Sequence, residues 1–300
     1  MGKTSEDAPR VRAHWSGAVL AALLLVCPGA AWSQCTEKVA SFDLVQNEQG
    51  DIVIPALLQD TPTKMGLNFS SSWSALSART ADKLGLPPRK ILTKRSYTAF
   101  GALITHYLEI PSVKLGTLSK RMEFMAIPAD ARMDPQIEGW LGLSVLASLD
   151  VDIDFGNRKL NLFQPGHCAD DRTVYWTKDY DVLPLSVRKF GNVDFPVQLD
   201  GQTIQMNLAD GMPVGYVKMS AGNFEDARSK NSFSSLKLGR QEIRNPELTV
   251  SDDRADPCQP RFQCFGAEAG GTVSLAQLRG THLYFAFQAK KLYVSAANAK

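Results

Sequence analysis

Residues 139–162 read Gly-Trp-Leu-Gly-Leu-Ser-Val-Leu-Ala-Ser-Leu-Asp-Val-Asp-Ile-Asp-Phe-Gly-Asn-Arg-Lys-Leu-Asn-Leu, and the chain writes this stretch a second time. It aligns without gaps to residues 271–294, an offset of 132, with Gly139/Gly271, Leu143/Leu275, Leu146/Leu278, Phe155/Phe287, Lys159/Lys291 and Leu160/Leu292 identical. The apolar alternation agrees as well. Val151, Ile153 and Phe155 read as one face of a strand, as do Leu283, Phe285 and Phe287. A period this long marks a duplicated structural unit.

Upstream the offset changes. Pro55, Leu58, Met65 and Leu67 meet Pro196, Leu199, Met206 and Leu208 at 141, and Val113-Lys114-Leu115-Gly116 meets Leu236-Lys237-Leu238-Gly239 at 123. The second copy is therefore 18 residues shorter before its Lys-Leu-Gly and 9 longer after it. Each copy reads as short strands with turn punctuation. Asp51–Leu58 and Met65–Phe69 are expected strands joined through 59–62. Ala75–Leu84 is an expected helix stopped by Gly85 and Pro87-Pro88, and Tyr97–Leu108 is an expected hairpin around Gly101. The second copy lacks that hairpin. The fold class is all-β: two similar lobes with one short helix each, at 34–167 and 183–300, with 168–182 as linker.

The other features set the compartment. Lys3, Arg10 and Arg12 precede an apolar run from Gly17 to Val26, and Ala31-Trp32-Ser33 resembles a small-x-small cleavage site. Residues 1–33 therefore read as a signal peptide, with an uncleaved N-terminal anchor as the alternative. We expect a secreted or periplasmic protein with no membrane span after cleavage. Cys35, Cys168, Cys258 and Cys264 then remain, an even number that allows three pairings. Cys258 and Cys264 bracket five residues in the lengthened part of the second copy and are expected to pair, which leaves Cys35 to Cys168. No Cys-x-x-Cys and no His at ligand spacing argue for a metal, and none is expected. Of 300 residues, 44% are apolar and 21% charged, ordinary for a globular chain, and 33 basic against 31 acidic residues give +2. No strong field points at nucleic acid, and none is expected as partner.

An apolar strand running into an active-site loop, a short helix ending Lys83-Leu84-Gly85-Leu86, a glycine-bearing flap, Lys114-Leu115-Gly116, Trp140-Leu141-Gly142-Leu143 and Asp154-Phe155 before Arg158-Lys159-Leu160 follow one another here. This order resembles the retropepsin-like aspartic protease family over nearly the whole chain after residue 33. The resemblance implies a bilobal, pepsin-like molecule, each lobe offering one Asp-Thr-Gly loop to a shared acid dyad. Two carboxylates close together share one proton, so that one member acts as base and the other as acid.

At those loops the sequence departs from the family. Counting back from Ala75-Leu76-Ser77, the first site is Asn68-Phe69-Ser70-Ser71, and at offset 141 the second is Ala209-Asp210-Gly211-Met212. Asn68 does not titrate near neutrality, and Ala209 carries no functional group. Phe69 and Asp210 replace the hydroxyls that buttress the loops in the family, and Val273-Ser274 replaces the Leu-Gly turn. A one-residue gap would leave Asp210 as the fallback catalytic group. We expect no cofactor and a monomer that has lost catalysis and binds an extended peptide or protein segment along Asn68, Phe69, Ser70, Ser71, Gly101, Asp210 and Gly211. A low-activity acid endopeptidase using Asp210, and an assembly protein with a filled cleft, are the alternatives.

Three other features have plain explanations. Ser70-Ser71-Ser72 has no nucleophile elbow, and His106 lies on an expected strand. Asp150, Asp152 and Asp154 alternate and are expected on a solvated strand face, with Asp154 in a structural turn; the alternative, a calcium site, lacks the glycine turn and ligand sequence of an EF-type loop. Asn68-Phe69-Ser70 is formally a glycosylation sequon, at a place where packing would oppose it. Trp73, Trp140 and Phe69 are candidates for an apolar cleft floor or for core.

Overall fold

The duplicated stretch becomes the centre of a six-stranded sheet to which both copies contribute. The computed structural model describes residues 38–92, 97–99, 101–131, 133–166, 168, 172–188, 191–222, 224, 232–251 and 269–299. The leader, Cys35 and the Cys258–Cys264 loop lie outside them. Cys168 is disulfide-bonded.

Asp150–Asp154 runs antiparallel to Thr281–Ala286 with Asp152 opposite Tyr284. These two residues are counterparts at the 132-residue offset, so a local twofold passes between them. Asp150 opposite Ala286 is the image of His282 opposite Asp154. Lys159–Phe163 and Lys291–Ala296 flank this pair in matching register, and Lys38–Asp43 and Asp181–Pro184 close the two edges. The expected linker thus ends inside a strand.

Each copy then builds a curved sheet of its own. In the first lobe Ile52–Leu58, Thr61–Leu67, Gly139–Leu141, Ala75–Ser77, Leu118–Ile127 and His106–Leu115 lie side by side, and pairing of Ile52–Leu58 with His106–Leu115 closes the layer on itself. The second lobe repeats the path through Val193–Leu199, Gln202–Ala209, Gly271–Ser274, Gly215–Lys218 and Leu248–Ser251. Leu57 faces Lys114 and Gln198 faces Lys237, so the 141 and 123 offsets meet in one ladder. Alternate side chains fill both cores: Ile52, Leu58, Met65 and Leu67 are fully buried, as are Leu199, Met206 and Leu208. Each such burial contributes roughly 1.5–3 kcal/mol.

Three local expectations change. Gln59 and Asp60 form the whole turn, both at positive φ, so Thr61 and Pro62 belong to the second strand. Ala75–Ser77 is a strand, because Ser77 caps the helix Ala78–Lys83 by accepting from the Thr80 amide. In the second lobe the counterpart is a single 3₁₀ turn, Met219–Ala221, which stops at the extended Gly222. The long hairpin of the first lobe turns at Gly116. Its counterpart turns at Gly239 and then breaks at Asn245-Pro246 before Leu248–Ser251. Tyr97–Ala99 and Ala102–Ile104 form the small hairpin around Gly101. The corresponding part of the second lobe falls largely on 223 and 225–231, outside the described residues.

The largest correction concerns Asp150, Asp152 and Asp154, which are all buried. The segment expected as linker folds back over them. The Trp176 ring stacks 3.8 Å from His282, and the Tyr175 hydroxyl donates to Asp152. Asn161 Nδ2 donates to the same carboxylate at 2.9 Å, His282 Nε2 lies 2.5 Å from its other oxygen, and the Tyr284 hydroxyl donates to Asp150 at 3.0 Å. Burial of a charge needs such partners. Among the described residues no helix is long and apolar enough to cross a membrane, and no cluster of three acidic, His or Cys side chains could hold a metal ion.

Candidate functional site

The two loops that end Thr61–Leu67 and Gln202–Ala209 meet at the lobe interface. The Phe69 amide donates to Asp210 Oδ1 at 2.9 Å, and the Ser70 hydroxyl donates to the same oxygen at 2.9 Å. Phe69 and Asp210 are counterparts at the 141-residue offset. Asp210 therefore stands where the family resemblance puts a buttressing hydroxyl, and it accepts a hydrogen bond across the interface there. The Asn68 amide donates to Leu141 O at 2.9 Å, and its Oδ1 accepts from the Ser70 amide at 2.9 Å. Ala209 is buried and contributes only a methyl group.

The remaining predicted residues separate into groups. Phe69 is fully buried, its ring 5.4 Å from Phe285 of the central sheet, and it does not line the cleft. A glycan on the sequon would have to force this packing apart. Ser71 is pressed by the second lobe: a Cβ on Gly191 would lie 2.6 Å from its Cα. Gly101 sits exposed at the tip of the small hairpin, with open space around it. The His106 ring lies 2.8 Å from the Thr105 hydroxyl. Ser274, read above as a loss, caps the following 3₁₀ turn in a capping box with Gln277, and its hydroxyl donates to Met212 O.

A cavity of about 880 Å³ opens where the loops meet, and Asn68, Asp210 and Gly211 form part of its wall. Asp51 and Asp134, which sequence reasoning missed, are there too, as is the buried Trp140. A Cβ on Gly66 would lie 2.5 Å from the Trp140 ring, so glycine at that strand position makes room for it. Asn47 Nδ2 donates at 2.9 Å to both Asp51 and Asp134, holding the two carboxylates on one amide nitrogen. Asp51 is 4% exposed, and its Oδ1 has no hydrogen-bond partner among the described residues. A Cβ on Gly211, which has positive φ, would lie 2.8 Å from that oxygen. No spacing motif marks Asp51 or Asp134. The one signal was Gly50-Asp51 standing opposite Gly191-Asn192 at offset 141.

Electrostatics follow from this crowding. Burial pushes the Asp210 carboxyl up to about 6 against the hydrogen bonds from Ser70 and Phe69, and the Asp51 carboxylate adds to the rise. Asp51 is itself raised by burial, with Asn47 opposing and Asp134 reinforcing the shift. Asp210 keeps one edge at the cleft surface while most of it is enclosed by protein.

Comparisons place this architecture. Residues 54–145 match the sequence profile of an aspartyl protease family. Basic 7S globulin from soybean superposes with a TM-score of 0.49 at 8% identity, over 83% of this chain and 91% of that one. Conglutin gamma, a basic 7S globulin from lupine seeds, gives 0.52 at 9% identity over 87% and 95%. No curated protein matches the chain in sequence. The chain is aspartic-protease-like, with two all-β lobes and a cavity where their loops meet.

Proposed function

We propose that this chain, retropepsin-like in fold and matched to aspartyl proteases over much of its first lobe, is a catalytically inert, exported protein that binds an extended peptide or protein segment in its interlobe cleft. The observation that carries the reading is the state of the two dyad positions. Asn68 holds a neighbouring amide, Ala209 is a buried methyl, and Asp210 accepts two hydrogen bonds within the interface. An 880 Å³ cavity beside them favours a bound segment over a cleft filled by its own side chains. Main-chain pairing with an extended ligand needs no acid–base group. Secretion or periplasmic export rests on the basic-then-apolar segment of residues 1–33.

One observation favours a second reading, a low-activity acid endopeptidase. Asp51 and Asp210 lie on the same cavity, and the ionisation of Asp210 is opposed by Asp51. A peptide-library digest followed by mass spectrometry between about pH 3 and 7 separates the two. The inert reading expects no cleavage above buffer. Cleavage that disappears in both Asp210→Ala and Asp51→Asn would establish the endopeptidase instead.

A further inference from the structure

The cavity is charged in one sense only. Glu48, Asp51, Asp134 and Asp210 line it, and no Lys, Arg or His does among the described residues. None of the four is in an ion pair among those residues, in a chain whose formal net charge is +2. The neighbouring cavity, of about 590 Å³, shares the wall segment Met133–Gln136 but is bordered by Lys64, Arg79 and Lys83. The acidic character is therefore local to one side of that wall.

Acidic clusters are common on protein surfaces, and this one has a feature that solvation does not explain. Asp51 is almost wholly enclosed, and its Oδ1, closed to solvent against Gly211, has no donor among the described residues. A buried carboxylate oxygen left without a donor costs free energy until something supplies one. The Asn47 amide already reaches the other oxygen of Asp51 and one oxygen of Asp134, so it holds the two acids together without neutralising either. The missing complement is a positive group with several N–H donors. The indole ring of Trp140 in the same wall suits a cation with an alkyl stem.

We propose that this cavity receives the cationic side chain, lysine or arginine, of the extended segment bound in the cleft, with Asp51 and Asp134 as its principal acceptors. The inference rests on the binding reading above and names the chemistry of its ligand. An arginine fork offers donors to both carboxylates, and a lysine ammonium makes the same contacts as a point charge.

The test uses two labelled pools of short degenerate peptides, identical except for a fixed central arginine or its neutral isostere citrulline, with fluorescence polarisation near neutral pH. The arginine pool is expected to bind about tenfold more tightly, the size of one charge-assisted contact. Asp134→Asn and Asp51→Asn should each cut that preference to about twofold, and circular dichroism reports whether the buried Asp51 variant folds. Agmatine, a free guanidinium probe, should compete with the arginine pool. Equal binding of both pools leaves the cleft as a peptide site and overturns the cation pocket. Agmatine binding with neither pool retained keeps an amine site and overturns the extended-segment reading. Binding of no probe overturns both.

Discussion

Among the places where the two copies meet, two set an acid in one copy against an aromatic residue in the other. In the central sheet Asp152 lies opposite its own counterpart Tyr284; at the loops Asp210 bonds to the backbone of its counterpart Phe69. The backbone has kept its symmetry at both places while the side chains have diverged, and each acid finds its side-chain partners elsewhere than on its counterpart. The difference lies in what compensates the acid. Asp152 is fully buried and meets His282, Asn161 and Tyr175. Asp210 is held by neutral donors alone, with another carboxylate nearby and a cavity at its edge. A compensated buried acid holds a structure together. One left with neutral donors stays sensitive to protons and to arriving charge.

That contrast breaks most visibly at Asp152. Asp152→Ala removes the carboxylate shared by the buried Asn161 and His282 and by the half-exposed Tyr175 hydroxyl, and removal of one partner of such a set costs about 3–5 kcal/mol. Urea unfolding should show a loss of that size. A loss under about 1 kcal/mol would mean the linker does not seal this face.

At Asp210 the expected effect is smaller and opposite in sign at neutral pH. Its folded pKa of about 6 lies above the ordinary 3.8, so the folded chain binds more protons than the unfolded chain between about pH 4 and 6. The contribution of Asp210 to stability is therefore most favourable below this window and declines as pH rises through it. The decline is on the order of 2–3 kcal/mol. Asp210→Asn keeps an acceptor for the Phe69 amide and the Ser70 hydroxyl but carries no charge. It should be more stable than the parent by about 2 kcal/mol above pH 7 and indistinguishable from it near pH 4. A difference that stays flat across the range would place the Asp210 carboxyl in solvent and undo the comparison with Asp152.

The sequence carried the duplication because strand ladders need register. Offsets of 132, 141 and 123 survive as pairings such as Asp152 with Tyr284 and Leu57 with Lys114. The active-site loops were legible for the same reason, since each ends a strand of known offset. What stayed hidden is what sequence distance conceals. Alternating Asp150, Asp152 and Asp154 ordinarily marks a wet face, and only residues 174–176, about two dozen positions on, convert it to a buried one. Asp51 and Asp134 come from separate loops and share one amide only in three dimensions. Phe69 read as cleft floor because a large aromatic beside a site suits either role. Its contact with Phe285, far along the chain, decides for core. The turn at Gln59-Asp60 was read two residues too long, over 59–62, because two non-glycine residues at positive φ carry only a weak signature.

The smallest expected effect tests whether capping or glycine separates the helices of the two lobes. Ser77 caps Ala78–Lys83 through the Thr80 amide, whereas its counterpart at offset 141, Lys218, makes no side-chain cap for Met219–Ala221. Ser77→Ala should cost about 1 kcal/mol, the usual value of a lost N-cap. Lys218→Ser supplies the missing hydroxyl, but the turn behind it has only three residues before Gly222. A Cβ on Gly222 would lie 2.6 Å from both the Gln202 side chain and the Phe224 ring, so packing holds that glycine in place. The gain from Lys218→Ser should then stay within about 0.3 kcal/mol, because a cap stabilises only the helix that follows it. Paired urea melts of the two variants measure this directly. A gain at Lys218 as large as the loss at Ser77 would make the cap, rather than the packed glycine, the reason the second lobe has a single turn where the first has a helix.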